Sequence, residues 1–303
     1  MQRKLVQQGA ATLMVSLPSS WIKKNQLSKG QEISLAEIDN QLVISNSENT
    51  TQKKSARVDV TSYTESAIRT SIVNAYRSGY HRLEITYQNE NQYITILNTL
   101  KNYLIGFEIT KKERNYCTVE NITEPAEEQF DVLFRKILYN ISLLIDNTEE
   151  RLKGKTEFTD YKEINLTIHQ YDNFCRRVIT KQKETNATLF WTFLGLLIHG
   201  QRELYHLNQF LDKNKVNFKD YLFFNNIKQV FKLLQEGFIQ RDLTKLDKVH
   251  ELEKKIIYDQ FYKLIQKKQK ENIVLYHLTA AIKDFYLATS PLIGLLLESK
   301  TSK

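Results

Sequence analysis

Apolar positions divide the chain into three zones. In residues 1–47 they come in short runs and alternations. Val15 and Leu17 lead to Pro18 and a compact PSSWIKK segment, and Gly30 follows; Ile33 and Leu35 then alternate with polar residues up to Asp39-Asn40, and Leu42, Val43 and Ile44 close the zone. Asp-Asn between two apolar runs predicts a tight hairpin. Residues 45–55, SNSENTTQKKS, hold no apolar residue before Ala56 and read as a linker. Residues 57–122 mix periods. Ile68, Ile72, Val73 and Tyr76 sit at helical spacing with Gly79 as the C-cap, and Leu83, Ile85 and Tyr87 alternate as a strand. Ile94, Leu97, Leu100 and Leu104 suggest a second helix, followed by Gly106 and strand-like residues through Val119. From Pro125 onward the pattern is helical. Phe130, Leu133, Phe134, Ile137, Leu138, Ile141, Leu144 and Ile145 make a wide apolar stripe on one long helix. Further helices are expected at about 157–184, 187–211, 218–240, 244–270 and 272–298, with short polar breaks that favour antiparallel bundles.

The expected fold is therefore a multidomain α+β chain. A strand-rich N-terminal domain (1–47) is followed by a small α+β connector (57–122) and two three-helix units (125–213 and 217–299). At 303 residues with 41% hydrophobic and 26% charged, the chain is long enough to bury a full core. Only 3 Pro and 9 Gly exclude collagen-like or low-complexity sequence and argue against an all-β chain. Cys117 and Cys175 show neither a zinc-type spacing nor a disulfide framework, which suits a reducing cytoplasm. MQRKLVQQGA has no apolar core behind its charges, so no secretory signal is expected. The apolar stretches near 189–198 and 285–297 fall short of the roughly 20 residues that span a bilayer and read as core helices.

Charge changes the picture of the first zone. The formal net charge is +8, yet residues 1–30 hold Arg3, Lys4, Lys23, Lys24 and Lys29 and no acid, whereas the remaining 273 residues carry a net of only +3. Point charges, with short hydroxyl donors such as Thr12 and Ser16, are what contacts to a nucleic-acid backbone require. A solvated surface remains the structural alternative.

The run RKLVQQGAATLMVSLPSSWIKKNQLSKGQEISL resembles the SpoVT/AbrB/MazE swapped-hairpin domain, in the form found at the front of archaeal phosphate-uptake regulators. The matching positions are Arg3, Lys4, Gln7, Gly9, Thr12, Val15, Ser16, Leu17, Pro18, Trp21, Lys23, Lys24, Leu27, Lys29 and Gly30. The resemblance implies an obligate homodimer that closes one barrel from two exchanged hairpins. It also implies a basic face on DNA carrying Arg3, Lys4, Lys23, Lys24 and Lys29. A segment of about 45 residues is also too small to bury much of its own surface, so a second copy would complete its core.

SIVNAYRSGYHRLEI (71–85), LIGFEI (104–109) and EEQFDVLFRKILYNISLLI (127–145) are similar to the middle segment and first bundle helix of the same regulators, whose C-terminal half is PhoU-like. That likeness implies a role in phosphate homeostasis, with the helical module sensing a signal or docking a phosphate transporter's ATPase or another signalling protein. PhoU-like bundles commonly carry paired acids, four residues apart, that hold metal clusters. This chain departs from that pattern. Asp172 faces Arg176 where a second acid would be expected, Arg202 and His206 occupy the other acidic positions beside Glu203, and Asp284 has no partner four away. No metal or cofactor is therefore expected, and Arg176, Arg177 and Arg202 are expected to pair with Asp172 and Glu203. His169, His199, His206, His250 and His277 form no HxxxH or HExxH pair, and Trp191, Phe190, Phe193, Phe223 and Phe224 read as core. No nucleotide-binding or hydrolase motif occurs, so an enzyme is not expected. Three readings remain: a dimeric DNA-binding regulator, a PhoU-like adaptor that only dimerises, and a metal-cluster protein.

Overall fold

The computed structural model describes residues 2–38, 41–46, 54–123, 127–155, 160–182, 186–266 and 271–301. The chain is mixed α+β and separates into two compact units, residues 1–54 and 55–303.

The first unit contains two hairpins and one short helix. Strands β1 (Val6–Gln8) and β2 (Thr12–Met14) pair antiparallel around Gly9, whose φ of +77° is open to glycine at little cost. Helix α1 (Ser19–Lys24) follows Pro18. Strands β3 (Ile33–Ile38) and β4 (Gln41–Asn46) form the second hairpin in the register Leu35↔Ile44. The expected Asp39-Asn40 turn lies outside the described residues. Each pair is a separate two-stranded sheet, and no closed barrel forms among the described residues.

The second unit opens with a four-stranded sheet in the order β5 (Ser55–Asp59), β6 (Arg82–Thr86), β8 (Tyr116–Asn121), β7 (Phe107–Glu113). Helix α2 (Glu65–Arg77) makes the crossover between parallel β5 and β6, and α3 (Glu90–Tyr103) precedes the β7–β8 hairpin. Strand β5 begins inside the stretch read as a linker. Pairing with β6 holds it there, and Ala56 and Val58 pack on the sheet's core. Thr64 caps α2, and Gly79 at φ +80° ends it, with the Tyr80 amide bonded back to Ala75. The apolar face expected on α3 is buried only in part, at Leu100 and Leu104. Ile94 and Leu97 are exposed, and the helix buries Gln92, Tyr93, Ile96 and Thr99 instead.

The rest of the unit is helical: α4 (Phe130–Leu152), α5 (Tyr161–Gln182), α6 (Ala187–Lys213), α7 (Tyr221–Gln240), α8 (Leu243–Lys254), α9 (Tyr262–Ile265), α10 (Asn272–Leu287) and α11 (Thr289–Thr301). The onset expected at Pro125 falls outside the described residues. The stripe from Leu133 to Ile145 is buried as expected, but the helices of the two anticipated sets bury a single common core. Helices α6 and α10 pack closely, as do α4 and α7, so side chains from both sets interleave. Two expected long helices are interrupted. Residues Lys255–Phe261 form a π segment between α8 and α9. Ala288 separates α10 from α11 just ahead of Pro291, which has no N–H to donate to the preceding turn.

One expectation about apolar length is corrected. Asn272–Leu297 is apolar enough by length and composition to cross a membrane. Val274, Leu278, Ala281, Ile282, Phe285 and Leu292 of that stretch lie in the common core.

Candidate nucleic-acid interface

Local backbone signals place the five cations on three segments. Arg3 and Lys4 lie on the extended stretch ahead of β1, and Thr12 sits on β2 opposite Gln8. Ser16 lies in the extended Val15–Pro18 link that feeds α1. Lys23 and Lys24 occupy the last turn of α1, where the helix dipole favours positive charge. That end is tightly closed. Gln26 adopts φ +52°, its amide bonds to the Lys23 carbonyl at 3.2 Å, and the Leu27 amide reaches the Ile22 carbonyl at 3.0 Å. This is a Schellman motif, and the Asn25 side chain adds a bond to the Trp21 carbonyl at 2.9 Å. Lys29 stands at the tip of the next turn, where Gly30 takes φ +86° and the Gln31 amide returns to the Ser28 carbonyl.

Arg3, Lys4, Thr12, Ser16, Lys23, Lys24 and Lys29 are all exposed. Many of the unit's apolar side chains are exposed too, while Leu17, Trp21, Ile22, Leu27, Ile33 and Ile44 are half-buried. Leu5, Val6, Leu13, Met14, Val15, Leu35, Leu42 and Val43 are open to solvent, with Leu13 at 62%, Leu35 at 58% and Leu42 at 61%, and no described residue of 2–46 is buried. The pairing Leu35↔Ile44 puts Ile33, Leu35, Leu42 and Ile44 on one face of the β3–β4 hairpin together with Glu37 and Asn46, so that side of the ribbon is mostly apolar.

In the second unit the acidic position of interest is already engaged. Asp172 is fully buried and accepts from Arg176 at 2.8 Å and from Arg77 of α2 at 2.9 Å. The pairing of Arg176 was expected; Arg77 was not, because Arg77 and Asp172 are 95 residues apart in sequence. Arg177 reaches the backbone of the sheet-and-helix part as well. It donates to the carbonyls of Tyr76 and Tyr80 at 2.8 Å each and lies over the Tyr76 and Phe107 rings. Asn173 and Gln170 donate to the carbonyls of Tyr103 and Lys101. One face of α5 therefore closes the C-terminal ends of both α2 and α3. The run Asp172, Asn173, Arg176 and Arg177 on α5 is the sequence trace of this junction.

Arg202 is exposed, and Glu203 pairs with His277 at 2.8 Å rather than with an arginine. His250 bonds to Thr289 at 2.8 Å and His206 to Gln209 at 3.2 Å, while His199 is exposed. Among the described residues no three His, Cys, Asp or Glu side chains come together as a metal site would require. Cys117 and Cys175 are both buried, and burial raises both thiols, Cys117 to about 11. Phe190 and Trp191 are half-buried at the edge of the core that Phe193, Phe223 and Phe224 fill. No family model, curated protein or solved structure matches the chain.

Proposed function

We propose that the chain is a dimeric DNA-binding regulator: two copies of the first unit close a swapped-hairpin barrel, and the resulting basic face holds the DNA backbone. The observation that carries this reading is the pairing, within residues 2–46, of an apolar set of which no described member is buried with five exposed cations and no acid in the first 30 residues. A two-stranded ribbon with one apolar face is unstable alone in water, and a second copy of the same ribbon is the simplest cover. The cations then come in two sets related by the dimer axis, as suits a duplex. Arg3, Lys4, Lys23, Lys24 and Lys29 contact phosphates, and Thr12 and Ser16 donate short hydrogen bonds that fix register. The helical part of the second unit is the PhoU-like module that responds to a signal in phosphate homeostasis or docks a transporter's ATPase. The regulator acts in the cytoplasm and performs no catalysis.

Binding of the purified full chain to genomic DNA fragments across a salt series tests the proposal. Affinity should fall steeply with salt, and Lys23→Glu with Lys24→Glu, changed in both copies, should lower the logarithmic salt slope by about four. Dimerisation without any DNA retention at moderate salt would refute DNA binding and leave the adaptor reading.

A further inference from the structure

In the second unit a pocket of about 270 Å³ lies between α4, α6, α7 and α11. Its apolar wall is formed by Phe190, Phe238, Leu292 and Leu295, with Phe190 and Phe238 crossing edge to face at 6.4 Å. These rings belong to a cluster with Phe130, Phe134 and Phe193, so the wall is rigid. Arg135 and Arg241 also line the pocket, and neither guanidinium has an ion pair or hydrogen bond among the described residues. Asp131 is the one carboxylate among the lining residues, so the three charges leave a net positive site. Asn186 contributes an amide whose oxygen is shielded from solvent and has no partner. Rotation of that amide presents either its oxygen or its NH2 to a ligand.

The backbone at Arg241 adds an independent observation. It follows α7 at φ +54°, ψ +40°, the left-handed position that helix ends give to glycine. An arginine there is less favourable than a glycine, and the turn sets its side chain at the mouth of the pocket.

We infer that this pocket is a binding site for a small amphipathic anion, a carboxylate or phosphate monoester with an apolar body. The apolar part rests on Phe190, Phe238 and the α11 leucines, and the anionic head takes Arg135 and Arg241, whose fork geometry suits both head groups. The site belongs to the helical unit alone and stands whether or not the first unit binds DNA.

Calorimetric titration of the full chain with octanoate, octyl phosphate, 1-octanol and inorganic phosphate tests it. At least one of the two octyl anions should bind with one site per chain, and the stronger names the head group. 1-Octanol and inorganic phosphate, each lacking half of the chemistry, should bind at least about tenfold more weakly. Arg241→Gly relieves the backbone and removes the guanidinium, so it should hold or raise the melting temperature while weakening the anion about tenfold. Arg135→Gln, at an exposed position, should weaken it similarly. Absence of binding by both octyl anions, equal binding of 1-octanol, or unchanged affinity in a folded Arg241→Gly protein would each overturn the inference.

Discussion

Residues 2–46 and residues 55–301 use the same apolar residue types and end in opposite states. In the first region leucines at 13, 35 and 42 stand more than half exposed on two separate hairpins. In the second, one continuous cluster runs from Leu133 to Leu296, and another fills the space between the sheet and helices α2 and α3. The difference lies in chain length available for cover. A ribbon of two strands has nothing on its apolar face until another element arrives, whereas α2, α3 and the long helices supply each other with cover inside one chain. Substitutions in the second region should therefore report on stability, and those in the first on association.

The largest effect is expected at Asp172. Its carboxylate is fully buried between Arg77 and Arg176, and Arg176 is itself 5% exposed. Removing one member of a buried pair leaves charge without compensation, so Asp172→Ala should destabilise the second unit by about 3–5 kcal/mol. Guanidinium denaturation followed by helical circular dichroism measures this. A loss below about 1 kcal/mol would mean that the junction between α5 and α2 is solvated and that the second region is less complete than its burial indicates.

The converse holds in the first region. Leu13→Glu with Leu35→Glu alters two side chains with no cover in the single chain, and should leave the helical denaturation midpoint unchanged to within about 0.5 kcal/mol. Sedimentation should show a dimer becoming a monomer, with DNA affinity lost at the same time. A dimer that survives both charges would remove the ground on which the two regions were contrasted.

How far these states were legible follows from the same contrast. The stripe on α4 and the capped helix ending at Gly79 could be read because apolar spacing and a glycine cap are local signals. Helix α3 was legible only in part. Two of its buried residues are polar and satisfied internally: Gln92 donates to the carbonyls of Val60, Thr61 and Tyr63, and Thr99 to that of Thr95. A hydrophobic pattern counts such residues as outward facing and so selected Ile94 and Leu97. The bonds of Arg177 to the Tyr76 and Tyr80 carbonyls were hidden for a related reason, since those backbone acceptors lie about a hundred positions away and no side-chain pattern records them. The five cations and two hydroxyls of the candidate interface were visible from composition, because exposure is the default for such residues.

A smaller effect should appear with pH. His169 sits against the Tyr103 ring, and burial, helped by Arg202, Arg77 and Arg69 and opposed by Asp172, lowers it from the ordinary 6.5 to about 4. Above pH 6.5 the ring is neutral in both folded and unfolded chains. Between 6.5 and about 4 only the unfolded chain takes the proton, so stability should decline as pH falls through that window and level off below it. His169→Gln should remove this part of the decline, as read from denaturation midpoints at neutral pH and near pH 5. An unchanged slope in the variant would assign the decline to carboxylates elsewhere.

The smallest effect sharpens what exposure means in each region. Leu97 on α3 is 40% exposed, an outward apolar residue on an element whose opposite face is already buried. Single exposed apolar side chains of this kind are ordinary on a protein surface and demand no cover. Leu97→Glu should therefore shift stability by no more than about 0.5 kcal/mol and leave the sedimentation of the full chain as it was, although its exposed apolar side chain is of the same type as Leu13. Ile96, one residue away and fully buried, is the internal reference: Ile96→Ala should cost about 2–5 kcal/mol. If Leu97→Glu instead disrupted the dimer, association would involve the second unit as well, and exposed leucine would signal a missing partner in both regions. If it is silent while Leu13→Glu is not, what distinguishes the first region is that its hairpins have no other face on which to build a core.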